Sequence, residues 1–185
     1  MIGFAMCGSY CTHKKAIEQL EALVSLDAIQ PIMSENVYTV DTYFGSADAL
    51  KERVEALCER KIIHTIVDAE PLGPKTPLDT LIICPCTGNT LAKIALGITD
   101  TPVTMAAKAH LRSDRPLVIA LASNDALSAN LKNIGTLLSR KNVYFVPMTQ
   151  DDPVKKPHSL VADFSQLIPT YYSAVKGKQF QKIFI

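Results

Sequence analysis

Apolar positions along the chain form two alternating kinds of run. Residues 1–6 (MIGFAM), 28–34 (AIQPIMS), 79–85 (DTLIICP), 115–123 (RPLVIALAS) and 142–148 (NVYFVPM) are short and nearly continuous. Rich in Ile, Val and Leu with no polar alternation, they read as strands buried on both faces. The intervening runs space their apolar residues at three and four. Residues 13–26 carry Ile17, Leu20, Leu23 and Val24 on one helical face, and residues 46–62 form a helix with Ser46 as its N-cap. Residues 89–98, 103–113 and 125–141 read as helices, and 159–177 as a helix bent or broken near Pro169. Residues 38–44 are read as a loop or a short strand. This β-α alternation predicts an open, doubly wound α/β fold around a parallel sheet.

No repeat, low-complexity tract or internal linker interrupts the pattern, and 185 residues suffice for one domain spanning 1–185. Two stretches break it locally. Residues 69–79 hold three prolines and a glycine before a central strand, and residues 148–159 hold two more prolines. Loops of this length in a compact domain often serve as lids or partner surfaces.

Net charge is +1, which gives no electrostatic case for nucleic acid or a membrane surface. No apolar run is long enough to span a bilayer. The first residues lack the order of a signal peptide, so a cytoplasmic protein is expected. Five cysteines in such a chain read as thiols rather than a disulfide framework.

In open α/β sheets ligands bind beyond the carboxyl ends of the strands. Three strand ends here carry small or polar residues and lead into helices: Cys7-Gly8-Ser9, Pro85-Cys86-Thr87-Gly88-Asn89-Thr90, and Ala122-Ser123-Asn124-Asp125. Helix N-termini present open amides and a positive dipole end, which suits phosphate. Each set also reads as ordinary helix caps. Three in one sheet favour an anion-binding crevice. Neither the dinucleotide fingerprint nor the P-loop signature is present. Cys7-x3-Cys11 and Cys84-x-Cys86 do not give the paired spacing of zinc sites, so no metal is expected. Cys7 and Cys84 read first as small buried apolar residues and Cys58 as core; the alternative is a reactive thiol, with Cys86 its best candidate, because a helix N-terminus lowers thiol pKa. Candidate cations for an anionic ligand are His13, Lys14, Lys93, Lys155 and Lys156.

"PCTGNTLAKIALGITD", "GSYCTHKKAIEQLEAL" and "RPLVIALASNDALSANLKNIGTLLSRKNVYFVP" together resemble the flavoprotein family. That family includes peptidyl-cysteine and phosphopantothenoylcysteine decarboxylases and flavin prenyltransferases. The resemblance implies a Rossmann-like three-layer sandwich, a mostly parallel sheet flanked by helices. It implies FMN as cofactor, held by Gly8, Ser9, Ser34, Pro85, Cys86, Thr87, Gly88, Asn89 and Thr90, with Ala122 and Ser123 closing the site. Within the family the pattern is closest to a branch that works beside a second polypeptide. That partner resembles a nicotinamide-binding dehydrogenase and is expected to carry NADP. The pair would oxidise a small cyclic dicarboxylate in the mother cell of a sporulating bacterium, and self-association is implied as well. Two departures bear on the chemistry. The position of the decarboxylases' catalytic histidine falls near Pro71, and the prenyltransferases' phosphate-handling arginine has no counterpart at Ser123. Three readings stand: one component of an oxidoreductase, a decarboxylase or prenyltransferase of the parent family, and a non-catalytic assembly component.

Overall fold

The computed structural model describes residues 1–185. The first run forms β1 (Ile2–Met6), buried at every position. A 3-10 turn (Tyr10–Thr12) leads into α1 (His13–Val24), whose inner face is His13, Ala16, Ile17, Leu20 and Leu23. β2 (Ile29–Met33) follows, then the single turn α2 (Glu35–Thr39). Residues 38–44 are therefore neither loop nor strand throughout: the end of α2 is followed by a tight turn in which Thr42 and Gly45 exchange backbone hydrogen bonds. In α3 (Ala47–Cys58) Ser46 caps as expected, accepting from the Ala49 amide at 3.2 Å. Residues 66–72 wind into a short α4 (Ile66–Ala69) and a 3-10 turn that places Pro71 mid-turn.

β3 (Thr80–Cys86) and β4 (Leu117–Ser123) are buried at all seven positions each, so no face of either is left for solvent. Between them lie α5 (Gly88–Leu96) and α6 (Pro102–Leu111). Thr101 and Thr104 close α6 with a reciprocal cap, and Pro102 occupies its first turn, where no amide donor is needed. The helix expected over 125–141 shortens to α7 (Leu131–Leu138). The cause is local: Ser, Asn and Asp side chains in 123–130 bond their neighbours and compete with the helix.

The strand expected over 142–148 splits into β5 (Val143–Phe145) and β6 (Met148–Thr149), with Val146 and Pro147 between. The last expected helix begins as a strand, β7 (Leu160–Ala162), and becomes α8 (Leu167–Val175) only after a 3-10 turn. Pro169 falls in the first turn of α8, where it breaks no backbone bond.

These strands form one seven-stranded sheet in the order β2-β1-β3-β4-β7-β6, with β5 also on β4. β2, β1, β3, β4 and β5 are parallel. The first half of β4 pairs with β5 and its last residues, Ala122 and Ser123, pair with β7 antiparallel. Two apolar clusters, of 24 and 23 buried residues drawn from strands and helices together, lie on the two sides of the sheet. Ile2, Phe4 and Met6 point toward α1, α3 and α8, whereas Ala5 and Cys7 point toward α5 and α6. Each fully buried Leu, Ile or Phe contributes about 1.5–3 kcal/mol. No helix is long and apolar enough to cross a membrane.

The outer edge is closed by residues 179–185. The Gln179 side-chain amide accepts from Phe145 N at 2.8 Å and donates to Phe145 O at 2.7 Å, occupying the position of a neighbouring strand. Met148 N then donates to Ile183 O at 2.7 Å and Ile185 N donates to Met148 O at 3.1 Å.

Strand order reverses between β1 and β3: the chain leaves β1 for β2 on one side and returns to lay β3 on the other. A crevice opens at the carboxyl ends of such a pair.

Candidate functional site

The ends of β1 and β3 are tied where Cys7 N donates to Pro85 O at 3.1 Å. Beyond β1, the Ser9 carbonyl accepts from both Thr12 N at 3.0 Å and Thr12 Oγ1 at 2.8 Å, which curls Tyr10–Thr12 back over the strand end. The His13 ring, at the start of α1, is fixed by a 2.9 Å hydrogen bond between Nε2 and the Cys7 carbonyl.

Beyond β3, Thr87 is extended and caps α5: its Oγ1 accepts from Thr90 N at 3.2 Å, and its carbonyl accepts from Leu91 N at 2.9 Å. The first-turn amides of Gly88 and Asn89 are thereby left open at the positive end of the helix.

Beyond β4, Asp125 organises the third loop. One carboxylate oxygen accepts from Ser123 Oγ at 2.5 Å and the other from Asn130 Nδ2 at 2.8 Å. Asn133 Nδ2 donates to Asn130 Oδ1 at 2.8 Å and extends the network into α7. The Ser123 hydrogen bond, reinforced by Asn130, holds the Asp125 pKa below the ordinary carboxylate range. Gly88 packs directly on this network.

Two adjoining compartments result. The first, about 480 Å³, is walled by Gly8, Ser9, Thr87, Gly88, Asn89, Ala122 and Ser123 among others. The second, about 360 Å³, is walled by Gly8, Ser34, Thr87, Asn89 and Thr90 among others. Gly8, Tyr10, Thr87 and Asn89 face both. Pro85 and Cys86 reach neither wall. The β3–β4 register shifts between Ile83 and Cys86, and this moves Cys86 off the face that Cys84 occupies. Cys86 is fully buried, and burial pushes its thiol pKa well up rather than down. The alternative of a reactive Cys86 is thus set aside: the helix end acts on Thr87 and beyond, not on a thiol turned into the core.

Of the candidate cations, Lys156 reaches the first compartment and Lys93 the second, where Asp100 holds it at 2.8 Å. His13 lines a smaller hollow beside Tyr10, and Lys14 and Lys155 reach neither compartment. Tyr10, Phe44, Asp125 and Asp151 also line the first compartment. Tyr10 and Asp125 carried a signal in their strand-end position. Asp151 lies in the proline-bearing loop already marked as unusual, and Phe44 gave none.

The buried thiols make a direct prediction. Burial raises Cys7 and Cys58 to about 11 and raises Cys84 as well, whereas Cys11 is exposed. Native protein mixed with a chromogenic disulfide should release one fast equivalent of thiol, abolished by Cys11→Ser, with four more appearing only on unfolding. Two or more fast equivalents would contradict the buried placement.

The sequence model of the family described as Flavoprotein matches residues 1–167. The B subunit of dipicolinate synthase from Bacillus subtilis (strain 168) is 44% identical over 185 residues, covering 100% of this chain and 92% of that protein. The crystal structure of the same B subunit from Bacillus halodurans superposes with a TM-score of 0.91 at 43% identity, covering 100% of this chain and 95% of that one. The crystal structure of the FMN-dependent cysteine decarboxylase SpaF gives a TM-score of 0.65 at 25% identity, covering 95% and 94%.

The residues present fit a flavin mononucleotide. Ser34 Oγ is buried without a hydrogen-bond partner on the wall of the second compartment, and the open amides of α5 face the same crevice. These are donors suited to a phosphate. The first compartment adjoins it and supplies room for a flat ring.

Proposed function

We propose a function from one premise: the chain belongs to the flavoprotein family. It acts as the B subunit of a dipicolinate synthase, a single unit over residues 1–185, in the mother-cell cytoplasm of a sporulating bacterium. Its partner is the A subunit of dipicolinate synthase, which carries NADP, and copies of the chain associate with one another in the assembly. The observation that carries this reading is 44% identity along the whole chain to a protein of that name.

The reaction is oxidation of a cyclic dihydro-dicarboxylate to an aromatic pyridine dicarboxylate. The ring loses a hydride and a proton, and NADP⁺ becomes NADPH. In this reading Gly8, Ser9, Ser34 and the α5 N-terminus hold FMN, which when bound supplies two-electron chemistry at the crevice. The chain's own residues bind and orient. The Gly88 and Asn89 amides offer charge-assisted hydrogen bonds to an anionic group. Thr87 and Asp125 hold the two loops that frame the ligand. Neither compartment wall carries a histidine, and residue 71 is proline, so the histidine that the family's decarboxylases use has no counterpart here.

The test is reconstitution. The purified chain and its A-type partner, mixed with NADP and the precursor, should form dipicolinate, read by its near-ultraviolet absorbance, while neither polypeptide should do so on its own. Full-rate formation by the partner without this chain would sink the reading. Titration of the isolated chain with FMN should quench flavin fluorescence to saturation.

A further inference from the structure

We infer that Lys156 is the recognition residue for a ligand carboxylate at the mouth of the first compartment, with Asp151 holding its ammonium group until the ligand arrives. The inference rests on the dicarboxylate reading above and deepens it.

Lys156 is the one basic side chain on that compartment's wall, and two acids share the wall with it, Asp125 and Asp151. Asp125 is engaged by Ser123 and Asn130 and makes no ion pair with Lys156. Asp151 is the partner Lys156 has, at 2.7 Å. Their side chains are 51% and 32% exposed. Water screens an ion pair so open, so exchanging one carboxylate for another costs little.

The backbone beneath is fixed while the side chain is not. Lys155 N donates to Asp152 Oδ1 at 2.9 Å and Lys156 N donates to Asp152 O at 2.7 Å. Gln150 Nε2 donates to Pro157 O at 2.9 Å across the base of the loop. Leu127 N donates to His158 O at 2.9 Å, fastening this loop to the one that Asp125 organises. A flexible four-carbon stem on a tethered loop lets the ammonium swing without moving its base. The Lys156 ammonium is the one cationic donor that this compartment offers an incoming carboxylate.

The test uses the reconstituted two-component enzyme. Lys156→Met should raise KM for the dicarboxylate by about threefold to fivefold with kcat nearly unchanged, and Lys156→Arg should restore most of the loss. Asp151→Asn should lower KM, because it removes the competing carboxylate. Added salt should raise the wild-type KM and leave that of Lys156→Met nearly unchanged. In calorimetric titration of the wild-type enzyme, dipicolinate should bind and its neutral diamide should not. An unchanged KM in Lys156→Met, or a fall in kcat at constant KM, overturns the inference while dipicolinate formation still stands. A wild-type enzyme that forms no dipicolinate removes the functional reading and this inference together.

Discussion

Gly88→Val is expected to abolish ligand binding and lower stability by about 1–3 kcal/mol, the cost of forcing volume into a packed site. A Cβ at this position would lie 2.7 Å from both Asn130 Nδ2 and Asp125 Oδ1, and closer still to Ser123 Oγ. None of these atoms can step aside alone. Ser123 and Asn130 grip the two oxygens of Asp125, and Asn133 braces Asn130, so displacing one strains all four. The substitution also pries α5 from the third loop, which separates two walls of the first compartment. Urea unfolding and FMN titration would measure the two losses. Gly135→Ala in α7 is the control: nothing lies within 4 Å of its Cβ, and alanine in a helix stabilises by about 0.5–1 kcal/mol. A Gly88→Val protein that unfolds like wild type and still binds would refute this account of the junction.

Acidification from pH 7 to pH 5 should destabilise the fold steeply. His13 and His110 are both buried, and burial lowers the pKa of each below its ordinary 6.5 against the opposing pull of their carbonyl partners, Cys7 and Pro116. Well above pH 6.5 both imidazoles are neutral folded or unfolded, and pH has no leverage through them. Below it the unfolded chain takes up protons that the folded chain refuses. Stability then falls by up to about 1.4 kcal/mol per pH unit for each histidine until the folded pKa is reached. His110 Nδ1 has no hydrogen-bond partner, so the protonated ring would bury an unsatisfied donor beside Arg115. The carboxylates held low by hydrogen bonds, including Asp27, Asp125 and Asp151, start from an ordinary value of 3.8 and act below this window. Urea midpoints at pH 7.5, 6 and 5 would show the decline, and His110→Gln should flatten it. Equal midpoints at pH 7.5 and 5 would mean that neither ring is buried in its neutral form.

The parts of the fold legible in the sequence were those set by burial alone. β1, β3 and β4 are nearly all apolar because both their faces are covered, and such a run between helices has no other comfortable place. The two strand-to-helix junctions at Gly8 and Thr87 were legible for a related reason: small and capping residues cluster where a chain turns tightly from a strand into a helix. What stayed hidden depends on contacts distant in sequence. Leu160–Ala162 is a strand because the last residues of β4 have a free edge there, not because three apolar residues prefer strand. Cys84 and Cys86, two apart, should share a face, yet a register shift separates them. Residues 125–130 have helical spacing but are unwound by their own polar side chains. Phe44 and Asp151 join the first compartment only because separate loops converge there.

The closure of the sheet by residues 179–185 has a consequence for how the protein behaves in crowds of its own kind. Open backbone edges recruit strands from neighbouring molecules. Here a single amide side chain at Gln179 and a short stretch of tail take up the hydrogen bonds of Phe145 and Met148. Protection against self-association is thereby delegated to a segment that contributes little to the core, and damage at that tail would first appear as fibrous precipitate rather than as unfolding.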